Sequence, residues 1–287
     1  MDLMEMYKQH VGTNADLTLA VTPVDRARAS HLGILRVDTR KRVIDFHEKP
    51  GAEADIDELA MPNRLGSFLG SMGMYIFKTQ VLKRVLDNEH ADFGNEIIPR
   101  TIRSCNVSAY VFEDFWVDIG TIRSFYDIHL DLASPQPSFN FYDERMPIYT
   151  HRRHLPATKV SNCTMCNTIA AEGSVIREAS IMNSVVGGRT SIESGAILDG
   201  VVAMGADAYE TPDELTANRE LGIPNVGIGA DTVIRTAIID TNARIGTRCR
   251  IGDSGEDRAD YAGDLYHIRD GIIIIPKNAV IPDDTVI

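Results

Sequence analysis

Aliphatic side chains recur at every sixth residue after Pro156. Val175 is followed by Ile181, then come Val186, Ile192 and Leu198. Val233, Ile239, Ile245 and Ile251 make a longer set, and Ile275, Ile281 and Ile287 close the chain. Glycines and small polar residues fill the gaps, as in Ile245-Gly246 and Ile251-Gly252. Such a period fits neither a helix, whose apolar face returns every three to four residues, nor a half-buried strand, which alternates. It fits a parallel β-helix, in which each flat face turns one aliphatic residue inward and a tight corner leads to the next face. A β-sandwich would show period two instead. Two segments interrupt the repeat, residues 204–225 and 253–270, and are read as insertions looping out of the stack with solvated carboxylates. Neither carries the ligand spacing of an EF-hand.

The first part of the chain has a different texture. Leu17 to Val21, Ile34 to Val37, Val43 to Phe46, Met72 to Phe77 and Ala109 to Phe112 are short apolar runs suited to strands. Asp38-Thr39-Arg40 supplies a polar turn between the second and third. Helical spacing links Leu3, Met6, Tyr7 and His10, then Val81, Leu82, Val85 and Leu86. A further helix with Ile122, Phe125, Tyr126 and His129 on one side is expected to start at Thr121 as N-cap. Strands and helices in alternation imply an α/β sheet covered by helices. Pro135, Pro137, Pro147 and Pro156 fall in a stretch without periodicity. The expected organisation is therefore an α/β domain over residues 1–134, a linker over 135–156 and a β-helix over 157–287.

Composition narrows the functional classes. Among 287 residues, acidic groups outnumber basic ones to give a formal net charge of −12. Phosphate backbones and anionic membrane surfaces require the opposite sign, so neither is an expected partner. No apolar run approaches the ~20 residues needed to span a bilayer. The opening MDLMEMYKQH lacks a basic region followed by an apolar stretch, so no secretory signal is expected. The four cysteines are too few and scattered for a disulfide framework, and a reducing, cytoplasmic location follows. Cys163 and Cys166 form a lone CxxC, without the second pair or histidines that would make a zinc site.

Four stretches of the α/β part carry chemistry. Phe46-His47-Glu48-Lys49-Pro50 ends a strand with an ammonium held beside a proline, a placement suited to a phosphate. In Gly70-Ser71-Met72-Gly73-Met74-Tyr75 the glycines permit close approach of a ligand. Asp92-Phe93-Gly94-Asn95-Glu96 is the third stretch, and Phe115-Trp116-Val117-Asp118-Ile119-Gly120-Thr121 puts an acid at a strand-to-helix turn. In open α/β sheets, ligands bind beyond the carboxyl ends of strands, where such turns lie.

The order EKP, SMGMYIF, DFG, WVDIGT and then a six-residue β-helix resembles ADP-glucose pyrophosphorylase, the glucose-1-phosphate adenylyltransferases. MGADAYET, GIGADTVIRTAIIDTNARIG and the ending YHIRDGIIIIPKNAVIPDDTVI resemble the cyanobacterial and plant branch. The resemblance implies a partial Rossmann-like nucleotidyltransferase domain joined to a left-handed parallel β-helix. It implies attack of glucose 1-phosphate on the α-phosphate of ATP, giving ADP-glucose and pyrophosphate for glycogen or starch synthesis. Such chemistry is mainly positioning and charge neutralisation. By motif match, Lys49 holds the sugar phosphate, Glu48 and Ser71 bond sugar hydroxyls, Gly33 allows close approach, and Asp92 and Phe93 lie near the sugar. Asp118 is the implied Mg²⁺ ligand and, with Lys49, the catalytic pair. Lys277 matches an activator-binding lysine for a sugar phosphate or 3-phosphoglycerate. The second such lysine is replaced by Thr241, for which Arg235, Arg244 and Arg248 are candidate substitutes. A homo- or hetero-tetramer is implied, in the cytoplasm, or in a plastid for a plant or alga.

One departure matters. The family's glycine-rich GGxGxRLxPLT loop, which cradles the ATP triphosphate, is nowhere in these 287 residues, nor is its GDHxY-like metal segment. The chain is expected to begin just after that segment and to be inactive alone. An alternative is a non-catalytic regulatory or assembly subunit. Another is a hexapeptide-repeat acyltransferase, but the only histidine after Pro156 is His267, inside an insertion. A plain sugar-phosphate binding module and a different sugar nucleotidyltransferase complete the alternatives.

Overall fold

A computed structural model describes residues 1–62, 64, 66–90, 92–145, 147–252 and 258–287. The chain forms two compact units, Met1–Trp116 and Val117–Ile287.

The first unit is built on a five-stranded sheet. Its strands are β1 (Leu17–Asp25), β2 (Ile34–Val37), β3 (Val43–His47), β4 (Ser67–Phe77) and β5 (Val107–Val111). Their order is β3-β2-β4-β1-β5, with β1 and β5 parallel and the other pairs antiparallel. β1 reads as a continuous apolar run because both faces of the sheet are covered. Leu17, Leu19 and Val21 pack with Leu35, Leu69, Val107 and Ile98 on one side, while Ala20 meets Met6 and Met72 on the other. The β2–β3 turn forms as expected, with Asp38 Oδ1 accepting from the amides of Arg40 and Arg42 at 2.8 and 2.9 Å. β4 begins at Ser67, five residues before the expected Met72, because its pairing with β1 continues as far as Asp25 and Ser67.

The helices of this unit are α1 (Leu3–Gly12), α2 (Arg26–Ala29), α3 (Thr79–Leu86) and α4 (Ile98–Ser104). On α1 only Met6 and His10 are buried, and the His10 Nδ1 meets the Thr18 hydroxyl at 2.8 Å. Leu3 and Tyr7, expected on the inner face, lie on the outer side of α1 with Val11 and are exposed.

In the second unit, α5 (Ile122–Ala133) starts at the expected N-cap, with Thr121 Oγ1 accepting from Ser124 N at 3.1 Å. Tyr126 buries its ring against Val202, Ile238 and Ile272 of the coil and donates its hydroxyl to the Gly200 carbonyl at 2.7 Å. Among the described residues of 134–158 there is no helix or strand.

The coil strands are β6 (Lys159–Ser161), β7 (Thr164–Ala170), β8 (Val175–Arg177), β9 (Ser180–Val186), β10 (Ser191–Ile192) and β11 (Ile197–Ala203). They continue as β12 (Gly227–Ile228), β13 (Val233–Ile239), β14 (Arg244–Ile245), β15 (Arg250–Ile251), β16 (Tyr261–Ala262), β17 (His267–Arg269), β18 (Ile272–Ile275) and β19 (Val280–Ile281). One sheet stacks β6, β8, β10, β12, β14 and β19, all parallel. The other stacks β7, β9, β11, β13 and β18 in parallel and adds β17 and β16 as an antiparallel extension. The seven-residue strands bend at a left-handed residue, Asn167 (φ 48°), Asn183 (φ 46°), Gly200 (φ 63°) or Thr236 (φ 50°), and so serve two faces each. Together with the first sheet this makes three faces per turn.

The inward column is the six-residue set of the sequence with two shifts. Val186, Ile192, Leu198, Ile245, Ile251 and Ile281 are buried in the coil core, but the inward residue of β8 is Ile176 rather than Val175 and that of β13 is Ile234 rather than Val233. Ile176 stacks under Ile192, and Ile192 under Ile228, in one register. Corners of unequal length let the period slip by one position.

Neither insertion is plain loop. The first contains α6 (Pro212–Leu221), with a Thr211–Glu214 capping box and Gly222 in the left-handed cap position (φ 66°). Its Glu210, expected to be solvated, is paired with Arg244 at 2.7 Å and largely covered. The second supplies β16 and β17; its residues 253–257 lie outside the described residues.

Candidate functional site

β2 and β3 form a hairpin whose open end holds Gly33 and Glu48, the neighbours of the paired Ile34 and His47. Lys49 N donates to the Leu32 carbonyl at 3.1 Å, and Ser71 N donates to the Gly33 carbonyl at 2.7 Å. The expected EKP, Gly33 and SMG positions therefore meet where β2 begins and β3 ends, beside the middle of β4. Backbone hydrogen bonds, not loop flexibility, set their spacing.

The Glu48 carboxylate sits between two glycines. A Cβ at Gly33 would lie 2.7 Å from Glu48 Oε2 and 2.5 Å from Phe46 Cζ, and one at Gly94 would lie 2.5 Å from the same oxygen. Neither glycine can be exchanged without moving that carboxylate. Burial pushes the Glu48 carboxyl above the usual value, the Lys49 charge pulls it back, and the Asp92 charge adds to the rise.

The DFG stretch closes the same site. Phe93 stacks on Tyr75 with ring centroids 6.0 Å apart and meets Phe77 edge-on at 6.3 Å. Asp92 caps the turn that follows, accepting from Asn95 N and Asn95 Nδ2 at 2.9 Å each. These bonds, with a smaller contribution from Lys49, hold its carboxyl below the usual range. Burial pushes the Tyr75 phenol up, a hydrogen bond with Ser71 opposes this, and the Glu48 charge adds to the rise. Tyr75 and Gly94 thus belong to the site although neither was assigned a role on sequence grounds. Ser71, Gly73 and Tyr75 at period two on β4 carried the signal for the tyrosine.

Lys49 is exposed and has a left-handed backbone (φ 41°), uncommon for a lysine. Among the described residues its ammonium has no carboxylate at ion-pair distance. The Lys49 charge acts on both Glu48 and Asp92, so an unpaired cation stands beside two carboxylates and the stacked Tyr75–Phe93 pair. That is the arrangement needed to take a phosphate and orient a hydroxylated ring.

The other expected positions lie in the second unit. Asp118 is exposed on an extended segment, where a Cβ at Gly120 would fall 2.8 Å from its Oδ2. No cluster of three or more metal-ligating side chains occurs among the described residues. One exposed carboxylate can serve Mg²⁺ only together with substrate phosphates and water, so these residues do not by themselves build a metal site. Lys277 pairs with Asp207 at 3.2 Å on the coil surface, and Asn278 N donates to the Thr241 carbonyl at 3.0 Å. The Lys277 and Thr241 corners are therefore adjacent. Arg244 is already engaged, by Glu210 and by the Pro224 carbonyl at 2.8 Å. In the CxxC, Cys163 packs against the coil core while Cys166 is exposed.

Residues 1–135 match the model of the nucleotidyl transferase family, and residues 153–286 match that of the GLGC left-handed parallel β-helix domain. The chain is thus a nucleotidyltransferase domain followed by a left-handed parallel β-helix domain. The two matches in this order support the ADP-glucose pyrophosphorylase-like family.

Proposed function

We propose that the first unit is the sugar-phosphate-binding part of a glucose-1-phosphate adenylyltransferase. The observation that carries this reading is the unpaired Lys49 ammonium beside a Glu48 carboxylate held between Gly33 and Gly94, inside a nucleotidyltransferase match.

In this reading Lys49 takes the phosphate of the sugar and lowers the repulsion between two anionic substrates. Glu48 and Ser71 orient hydroxyls, and the two glycines leave the room that the Glu48 carboxylate occupies rather than room for the ring. A phosphate oxygen of glucose 1-phosphate attacks the α-phosphorus of ATP. The bond to the β-phosphate oxygen breaks, and pyrophosphate leaves with its electron pair. Catalysis of this kind rests on alignment and charge neutralisation. An anionic effector at the Lys277–Thr241 corner, Mg²⁺ carried with ATP, a tetramer, and a cytoplasmic or plastid role in glycogen or starch synthesis belong to the same proposal.

The alternative reading is a non-catalytic regulatory or assembly subunit of such an enzyme. Two assays separate the readings. A polypeptide of these residues joined to a glycine-rich nucleotide-binding segment is expected to release pyrophosphate from ATP and glucose 1-phosphate. Lys49→Gln in that protein should cut kcat/KM about 10- to 100-fold, the worth of a charge-assisted hydrogen bond. Unchanged kinetics in the variant would refute the role of Lys49. Stable co-purification with a full-length paralogue, without turnover by this chain, would favour the assembly subunit.

A further inference from the structure

Within the second unit, the first insertion folds back over one coil face and bounds a cleft of about 690 Å³. One wall is the sheet face of β8, β10, β12 and β14, and the other is residues 208–210, α6 and the segment after it. Internal bonds hold the second wall in place. Tyr209 donates its hydroxyl to the Gly173 carbonyl at 2.9 Å. Glu210 accepts from Asn218 Nδ2 at 2.7 Å and Val226 N at 2.8 Å while paired with Arg244. The volume lies inside the roughly 300–1,000 Å³ range of small-molecule sites.

Most charges lining the cleft are already matched. Arg177 pairs with Glu193 at 2.8 Å, and Asp283 accepts from Thr247 N at 2.8 Å. Arg189 and Arg219 line the same cleft, and neither has a carboxylate at ion-pair distance among the described residues. Arg189 has a left-handed backbone (φ 60°) and lies over the Tyr209 ring at 5.8 Å, with one contact to the Ala206 carbonyl at 3.3 Å. Arg219 is exposed in the last turn of α6. The Thr247 hydroxyl, on the opposite wall, is buried without a hydrogen-bond partner among the described residues. An acidic protein thus keeps two unmatched guanidinium groups, an aromatic ring and an unused hydroxyl around one half-open cleft.

We propose that this cleft binds a small organic anion bearing a phosphate or carboxylate group, with Arg189 and Arg219 as the anion contacts. Planar guanidinium forks match both groups in two-point fashion. The site is separate from Lys49 and from Lys277, and the inference does not depend on the sugar-nucleotide reading.

Isothermal titration of the whole chain with glucose 6-phosphate, inorganic phosphate and citrate at millimolar concentration tests the proposal. Hydrogen–deuterium exchange over residues 187–194 and 207–226 locates the ligand. Saturable binding with protection of both segments is expected. Arg189→Gln and Arg219→Gln should each weaken it about 10-fold or more, while Lys49→Gln and Lys277→Gln leave the protection of these segments unchanged. Arg219 is exposed, so its variant should fold even if the Arg189 corner does not tolerate change. Preference among the three probes assigns phosphate or carboxylate. No protection of the two segments with any probe would overturn the proposal. So would equal affinity in Arg219→Gln, or protection by self-association with no ligand added.

Discussion

The β-helix and the nucleotidyltransferase unit hide their apolar residues in opposite ways. In the coil, each turn repeats the demand of the one below, and Ile176, Ile192, Ile228, Ile245 and Ile281 form one stacked column. In the α/β unit no position repeats another, and Leu19, Leu35, Leu69 and Val107 meet from four different strands. Repetition leaves the coil surface free to carry insertions, because each turn is supported by its neighbours. The α/β unit instead gathers irregular positions at its candidate site: Gly33 and Glu48 flank the ends of β2 and β3, Ser71 lies within β4, and Gly94 sits in the turn after Asp92.

The largest effect should come from breaking the column. Ile192→Asp places an unpaired charge in a fully buried position and should cost more than about 4 kcal/mol, unfolding the coil in urea titration while α/β-unit amides keep their protection. Simultaneous loss of both units would show that they are not independent. Next in size, Gly94→Ala should displace the Glu48 carboxylate. Because only the end of a flexible side chain has to move, stability should fall by less than about 1 kcal/mol, while sugar-phosphate affinity falls beyond what Ser71→Ala causes. Calorimetry of both variants measures the difference. Glu210→Gln should leave coil stability within about 1 kcal/mol but speed amide exchange across α6 and the segment up to Val226, because the anchor of the insertion is gone.

A pH effect is the smallest. Glu48 has a raised carboxyl in the folded chain, so its neutral form is the better accommodated one. Stability tied to it is full below the ordinary value of 4.5 and is lost as pH rises through the folded value. Glu48→Gln should therefore be the more stable protein at neutral pH, with the gap closing in acid. A gap that widens in acid would contradict the assigned burial.

The same contrast explains what could be read before the structure. A column that repeats is visible in one sequence because chance rarely reproduces it, and only corner length moved the inward position from Val175 to Ile176 and from Val233 to Ile234. Motif order singled out Gly33, Glu48, Lys49, Ser71, Asp92 and Phe93; backbone register sets the first four side by side, and the Gly94–Glu48 and Phe93–Tyr75 contacts bring in the DFG stretch. Gly94 was not, since its role depends on a carboxylate far earlier in the chain. The Glu210–Arg244 pair and the α6 wall were missed for a related reason. A carboxylate in a polar insertion looks solvated until its long-range partner is known. Helix α6 itself had a local signal, Thr211-Pro212 with Glu214, which the hydrophobic period does not register.

The claim on which the functional account rests is that Lys49 is kept unpaired to hold a sugar phosphate. Calorimetric titration of the chain with glucose 1-phosphate, beside Lys49→Gln, tests it most directly. The account predicts saturable binding that falls about 10-fold or more in the variant at unchanged melting temperature. Equal affinity in the two proteins would contradict it.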